Sequence, residues 1–394
     1  MNTECSTEKY KVQSLLFALL RSELCGVAQA DTESLSAENL VDLYKLAKAH
    51  DLAHLVASAL SKRGLLGEDE VSRKLQKQMM LAVHRYSGIN YDLGKAADAL
   101  EKAEIPFLPL KGSVIRAYYP EPWMRTSCDI DILIHKEDTD RAVEALTAIG
   151  FEKQPDTTMH DHQLISRGGV HLELHYSLRQ ETSMRQADSV LDDVWQSCSI
   201  EGSWRYRYKM TNEMFLFYHI VHMANHFVYG GCGVRPFLDL WLLEEKMGLD
   251  REEFGRLLKQ TGLESFYESA RALSSVWMDN SPHSDITAQM EQFILTGGVY
   301  GTVSNSAAVK SAKGQSKLRS FMKLVFLSRK NLEITYPNLK KHPILLPFYQ
   351  VKRWFKVLDP KKRKRVADVT AARNSVSKEQ SDSVKALLDD LNLL

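Results

Sequence analysis

The chain has 394 residues, of which 44% are hydrophobic and 26% are charged. That length exceeds the size at which one core usually stops growing, so several domains are expected, and the composition excludes a wholly disordered or collagen-like chain. No apolar run is long enough to predict a membrane-spanning helix. Five scattered cysteines without C-x-x-C spacing exclude a disulfide framework or a zinc cluster and indicate reduced thiols in a cytoplasmic protein.

Residues 1–104 are predicted to form an N-terminal helical region. Its first apolar residues, at positions 12, 15, 16, 19 and 20, follow amphipathic helical spacing, which favours a packed helix over a signal peptide. Ser34 or Ser36 is the candidate N-cap of the next helix. A long helix without proline is expected from Asp69 to Ala103.

The pattern changes at Ile105, and residues 105–210 are predicted to alternate between short strands and short helices. Strands are expected at 105–110, 129–135, 151–154, 163–167 and 170–176. The first of them contains two prolines, which places it at a sheet edge, and Gly168-Gly169 is typical of a hairpin turn. The expected fold class is therefore α+β, a small mixed β-sheet core with N-terminal and C-terminal helical regions.

The remaining chain is predicted to divide into a helical region, 211–335, and a basic segment, 336–394. Between Val309 and Asn374 the sequence has eighteen Lys or Arg against three Asp or Glu, a local charge of +15, which leaves −14 for the rest. The run Lys361–Arg365 lies in this block, after an aromatic and basic stretch. Such an asymmetry predicts an anionic partner, RNA or a membrane surface, and the alternative is a solvated face that binds nothing specific.

Two carboxylates alternate along the strand predicted at 129–135. Alternate side chains of a strand share a face, so Asp129 and Asp131 would lie about 7 Å apart and repel each other. A hard divalent cation such as Mg²⁺ takes oxygen ligands and would offset that repulsion. Glu173 shares a face of a later strand with His171 and His175 and is the third candidate carboxylate, unless that strand merely faces solvent.

A candidate phosphate site precedes the acidic strand. Gly112-Ser113, at a predicted strand-to-helix junction, would let backbone N–H groups approach a phosphate. Lys111 and Arg125 stand at the two ends of this connection and are suited to hold triphosphate oxygens. A Gly-Ser pair alone means little, but its order before an Asp-x-Asp strand favours nucleotide binding.

Three histidines lie on the helix predicted after Thr211, at i, i+3 and i+7. They are His219, His222 and His226, and together with His171 and His175 they could form an acceptor pocket or a metal-binding face. The H-E-x-x-H pattern of zinc proteases is absent. A helix packed on the sheet, with its histidines satisfied by hydrogen bonds, is the alternative.

The order of these motifs resembles the DNA polymerase beta-like nucleotidyltransferase superfamily. Residues 105–150 more closely resemble a bacterial family of uncharacterised nucleotidyltransferases. The second resemblance is carried by Leu110-Lys111-Gly112, Tyr119-Pro120, Arg125, Asp129-Ile130-Asp131, Glu173-Leu174-His175 and the histidine helix. The chain departs from the superfamily pattern in a long spacer, fifteen residues between Ser113 and Asp129, and in having Glu173 where Asp is commoner.

The resemblance implies a metal-dependent enzyme that moves a nucleoside monophosphate from an NTP to a hydroxyl of an unidentified acceptor and releases pyrophosphate. It implies Asp129, Asp131 and Glu173 as catalytic residues that hold Mg²⁺ or Mn²⁺, and Lys111, Gly112, Ser113 and Arg125 as nucleotide-binding residues. The alternative is a non-catalytic nucleotide- or nucleic-acid-binding protein on the same fold. For nucleic-acid binding through the basic segment, the expectation is steep salt dependence without a metal requirement.

Overall fold

The computed structural model describes residues 2–26, 35–155, 160–179, 185–298, 303–314, 326–329, 332–333, 336, 338–357 and 376–394. Helices precede the sheet: α1 (Asn2–Leu24), α2 (Ala37–Ala49), α3 (Ala53–Lys62) and α4 (Glu70–Lys102). The central part contains β1 (Phe107–Pro109), α5 (Gly112–Ile115), β2 (Asp129–Ile134), α6 (Thr139–Ala148), β3 (Glu152–Lys153), β4 (Asp161–Ile165), β5 (His171–His175), α7 (Arg185–Asp192), β6 (Cys198–Ile200) and β7 (Tyr208–Met210). The later helices are α8 (Asn212–Tyr229), α9 (Arg235–Lys246), α10 (Arg251–Thr261), α11 (Glu264–Met278), α12 (Asp285–Leu295), α13 (Val303–Ala312), α14 (Asn338–Lys341), α15 (Leu346–Val357) and α16 (Lys378–Asp390).

Five strands form one small mixed sheet in the order β1-β2-β5-β4-β3. β2 and β5 are parallel, and the other pairs are antiparallel. The proline-containing β1 lies at an edge, as predicted, and β6 and β7 form a separate hairpin. The expected α+β class with helical flanks is confirmed.

Local sequence signals set the boundaries of several elements. Ser36 caps α2 through a bond from the Asn39 N–H, and Asp69 accepts hydrogen bonds from the first turn of α4. Gly169, at φ +81°, closes the turn between β4 and β5, a backbone conformation that favours glycine. These caps and this turn confirm the predicted helix starts and the predicted hairpin.

The two faces of the sheet differ in polarity. Isoleucines and leucines on one face of β2, β4 and β5 pack against α4 and α6, and they form a fully buried cluster with residues such as Leu100 and Leu146. Because successive strand side chains alternate, this packing directs the intervening residues of β2 and β5 to the opposite face. That opposite face carries the acidic residues.

A second, larger core joins both flanking helical regions. Phe17 of α1 stacks on Trp277 of α11 with ring centroids 4.7 Å apart, and the Arg21 guanidinium donates to the Trp277 carbonyl. Leu387 and Leu388 of α16 are buried in the same cluster. The apolar stripe of α1 is buried too, which confirms the predicted amphipathic helix.

The segment before β7 bends, because Glu101 binds the backbone N–H groups of Arg205 and Tyr206. The last part of the predicted helical region, from 315 to 335, is described only at residues 326–329 and 332–333, and the run Lys361–Arg365 lies outside the described residues. Within the described ranges, every helix is too short or too polar to cross a lipid bilayer.

Candidate active site

The parallel pairing of β2 with β5 brings the predicted acidic residues together. Asp131 is in register with Glu173, and Asp129 is in register with His171. In-register residues of neighbouring strands point to the same face, so Asp129, Asp131, Glu173 and the two strand histidines share it. The structure therefore confirms the predicted common face.

Asp131 contacts two basic side chains on this face. Its Oδ1 accepts a hydrogen bond from Lys111 Nζ at 2.7 Å and lies 2.9 Å from His175 Nε2. Glu173 Oε2 lies 3.5 Å from the same imidazole nitrogen. Ligand atoms of Asp131, Glu173 and His175 lie within 4.8 Å of one another, which suits a single metal ion.

Neighbouring charges and hydrogen bonds outweigh burial in setting the pKa values of Asp131 and His175. Burial acts to raise the pKa of Asp131, but the Lys111 ammonium and the His175 imidazole hold it well below its usual range. Burial likewise opposes protonation of His175, yet its hydrogen bonds to Asp131 and Glu173 raise its pKa to about 9. Asp131 is thus an anion held between two cations.

Asp129 differs from its neighbour. Burial and the charge of Asp131 raise the pKa of Asp129 above its ordinary value. It lines a cavity of about 180 Å³ together with Cys128, Gln163, His171, Leu172 and Glu173. The face therefore has two parts, a paired cluster around Asp131 and an open cavity beside Asp129.

The Lys111-Gly112-Ser113 loop lies against β2. Lys111 adopts φ +45°, which is uncommon for a residue with a side chain and marks local strain. A Cβ on Gly112 would lie 3.1 Å from Ser127 Cβ, so any larger residue would have to displace Ser127 by a few tenths of an ångström. Among the described residues the buried Ser113 Oγ has no hydrogen-bond partner. Because α5 spans four residues, a helix dipole adds little to the predicted phosphate site.

Arg125, predicted to hold triphosphate oxygens, has a different partner. Its Nε and Nη2 donate to the fully buried carboxylate of Asp239, and its Nη1 donates to the Thr126 carbonyl. The Tyr119 hydroxyl donates to the same carboxylate at 2.7 Å. The side chain of Arg125 also packs beside Gly112, so it supports the loop from beneath.

The three histidines of α8 separate into two environments. His219 Nε2 lies 3.0 Å from the Pro236 carbonyl, in keeping with the alternative of a hydrogen-bonded packing histidine. His222 and His226 contact each other, with their Nε2 atoms 3.0 Å apart. Burial and the nearby Lys111 ammonium lower the pKa of both, so this pair is neutral.

Sequence patterns did not indicate every residue of the site. Gln163 lines the cavity because β4 pairs it in register with Glu173, a contact that depends on strand pairing. Tyr218 of α8 is buried near Lys111, Asp131 and Glu173, and burial raises its pKa to about 12. Helical spacing alone drew attention to the histidines and not to this tyrosine, since apolar and aromatic residues fill the rest of α8.

Comparison with known proteins gave one family and one distant solved structure. A family model described as "Uncharacterised nucleotidyltransferase" matches residues 36–279. A Thermotoga maritima CCA-adding enzyme, solved in complex with tRNA, is 13% identical to this chain and has a TM-score of 0.22. That alignment covers 80% of this chain and 85% of the other. Among curated proteins none matches.

Proposed function

The chain belongs to the uncharacterised nucleotidyltransferase family, and on that premise we propose that it transfers a nucleoside monophosphate from an NTP to an acceptor hydroxyl. The acceptor oxygen forms a bond to the α-phosphorus, the bond from that phosphorus to pyrophosphate breaks, and the hydroxyl proton leaves. The observation that carries the proposal is the shared face of β2 and β5, on which Asp129 and Asp131 lie beside Glu173, the partner of Asp131 in the strand register.

The donor set suits Mg²⁺ or Mn²⁺. Three carboxylates converge on one face, and Asp131 already attracts two cationic side chains. Asp129, Asp131 and Glu173 are proposed to hold the metal, which would stabilise charge on the attacking and leaving oxygens. Lys111 would then be released from Asp131 toward the donor phosphates, because its long side chain is a quarter exposed and can move.

The nucleotide is proposed to bind at the Lys111-Gly112-Ser113 loop. The buried Ser113 hydroxyl and the closely packed Gly112 backbone offer donors to phosphate oxygens. Arg125 is proposed to position this loop through Asp239, since the guanidinium is already occupied. The sequence-based assignment of Arg125 as a direct phosphate ligand is thereby revised to an indirect one.

The acceptor is proposed to approach through the cavity beside Asp129. His171 and Gln163 line it and can donate or accept hydrogen bonds to hydroxyl groups. The neutral pair His222 and His226 is a second candidate surface, whereas His219 is bound to a backbone carbonyl. The cavity is smaller than a typical ligand pocket, which suits the reacting end of an acceptor more than a whole nucleotide.

The proposed function is tested by supplying each of the four NTPs, labelled at the α-phosphate, with Mg²⁺ and cell extract. Transfer of label to a macromolecule or metabolite, with pyrophosphate released in equal amount, is expected. Calorimetric titration of NTPs with and without Mg²⁺ separates the enzyme from the non-catalytic alternative. Salt-sensitive polyanion binding without metal dependence or transfer would favour that alternative.

Replacing Glu173 by glutamine is expected to impair the chemical step more than NTP binding. The substitution removes a carboxylate charge beside Asp129 and His175 but leaves the proposed phosphate loop untouched. Turnover at saturating NTP should fall by about 10²-fold or more, with a nearly unchanged NTP dissociation constant. The reverse result, weak NTP binding with normal saturated turnover, would contradict the role given to Glu173.

The basic C-terminal segment is proposed to bind an anionic partner, RNA or an anionic membrane surface. Changing Lys361–Arg365 to glutamine tests this without removing α16, whose leucines are buried in the core. The five-residue variant should bind RNA or anionic vesicles more weakly and with a shallower salt dependence, since fewer counterions are released. Identical salt curves for the variant and the wild type, on both probes, would show that the run is inert.

A further inference from the structure

His175 lies within contact distance of two carboxylates of the acidic cluster. Its Nε2 lies 2.9 Å from Asp131 Oδ1 and 3.5 Å from Glu173 Oε2. The side chain is largely buried, at 12% exposure, and β5 holds it on the same face as Glu173. The strand position and the burial of His175 therefore place its Nε2 between the carboxylates of Asp131 and Glu173.

These separations match those of neighbouring ligands around a small metal ion. With metal-to-ligand distances of about 2.1 Å, neighbouring ligand atoms lie about 3.0 Å apart in an octahedron and about 3.4 Å apart in a tetrahedron. Little rearrangement of the two strands is then needed to bring Asp131, Glu173 and His175 to one ion. The Lys111 ammonium, which shares Asp131 Oδ1, must move, and His175 must release its Nε2 proton to solvent before that nitrogen can bind an ion.

We propose that His175 is itself a metal ligand and that its imidazole makes the site prefer Mn²⁺ and other transition-metal ions to Mg²⁺. Magnesium takes oxygen ligands, whereas imidazole suits the later first-row metals. The inference rests on the proposed function because it concerns the same site. It adds His175 to the three carboxylates predicted from sequence as metal ligands, where this histidine was a candidate for an acceptor pocket or a metal-binding face.

A ligand and a merely supporting residue differ in a measurable way. If His175 only hydrogen-bonded to Asp131, its loss would weaken Mg²⁺ and Mn²⁺ binding by similar factors. As a ligand, His175 contributes mainly to Mn²⁺ affinity. Its nitrogen is then also coupled magnetically to the bound ion.

The test uses full-length metal-free protein, Mn²⁺ as the probe and electron paramagnetic resonance as the readout. During titration, electron paramagnetic resonance measures the concentration of free Mn²⁺. The Mg²⁺ affinity is obtained by competition with Mn²⁺, and electron spin-echo modulation detects nitrogen bound to Mn²⁺. His175→Gln is compared with His171→Gln, a matched change on the same strand and face that lies outside the three-residue cluster.

Wild type and His171→Gln should show nitrogen modulation, and His175→Gln should lose it. His175→Gln should also bind Mn²⁺ about tenfold or more weakly while its Mg²⁺ affinity changes much less. Bound Mn²⁺ without nitrogen modulation in the wild type would overturn the inference, even if His175→Gln failed to fold. Equal losses for both metals would overturn it as well. If nucleotidyl transfer occurs without nitrogen modulation, the proposed function stands and the inference fails. If modulation occurs without transfer, the metal site stands and the proposed function fails.

Discussion

Asp131→Asn is expected to abolish nucleotidyl transfer and to lower the free energy of unfolding by about 3 kcal/mol. The activity falls because a proposed metal ligand is lost. The stability falls because the largely buried His175 and the partly exposed Lys111 lose the carboxylate that pairs with both. From the sequence alone, removal of either aspartate was expected to relieve repulsion; the ion pairs of Asp131 reverse that expectation for this residue.

Asp129→Asn provides the matched comparison. Transfer should be lost to a similar degree, but stability should hold or rise, because burial and Asp131 already raise the pKa of Asp129 and disfavour its charge. Urea unfolding of metal-free protein measures both variants. Equal stability of the two variants at neutral pH would contradict the pairing.

The stability difference between Asp131→Asn and the wild type is expected to depend on pH. Protonated His175 contributes stability that is complete below its ordinary pKa of 6.5 and is lost as the pH rises through about 9. The stability lost by Asp131→Asn should therefore shrink across that interval.

Arg125→Met is expected to destabilise the protein by about 3–5 kcal/mol, because it leaves the carboxylate of Asp239 fully buried without its counter-charge. The double variant Arg125→Met/Asp239→Leu removes both charges and should recover most of that loss. Thermal or urea unfolding measures the stability of the wild type, the single variant and the double variant. Arg141→Met, which breaks an exposed ion pair with Asp138, is the control and should cost less than about 1 kcal/mol.

The same double variant separates support of the loop from direct phosphate binding. If Arg125 only supports the Gly112 loop by packing together with Asp239, a folded double variant, in which apolar side chains fill the same space, should keep most of its NTP affinity in calorimetry. A folded double variant with no measurable NTP binding would show instead that the guanidinium contacts phosphate. The sequence-based assignment would then be restored.

Local patterns were sufficient to predict which residues share the acidic face. Period-two alternation predicts that Asp129 and Asp131 point together, and the same rule predicts the grouping of Glu173 with His175. Their meeting also required β2 to pair with β5, which the order of the motifs made plausible through family resemblance. Most element boundaries followed from caps and glycines, whose effects are local.

The sequence did not predict which residues form ion pairs when they lie far apart along the chain. Arg125 and Asp239 are 114 positions apart, and no periodicity links a loop arginine to an aspartate on α9. Lys111 was correctly placed near the site, but its ion pair with Asp131 depends on how the loop crosses β2. Long-range ion pairs arise from packing geometry, so a single sequence indicates the cation without indicating which anion it binds.

The stacking of Phe17 on Trp277 has a consequence for the order of folding. Such a contact closes a loop of more than 250 residues, whereas β4 and β5 meet across a short turn. Distant contacts form slowly because the entropy of loop closure must be overcome first. We therefore expect the hairpin to form early and the contact between α1 and α11 to form late. During synthesis, α1 can pack first on α3, where Glu23 binds Ser58 and Lys62, while Phe17 lacks its aromatic partner until residue 277 has left the ribosome.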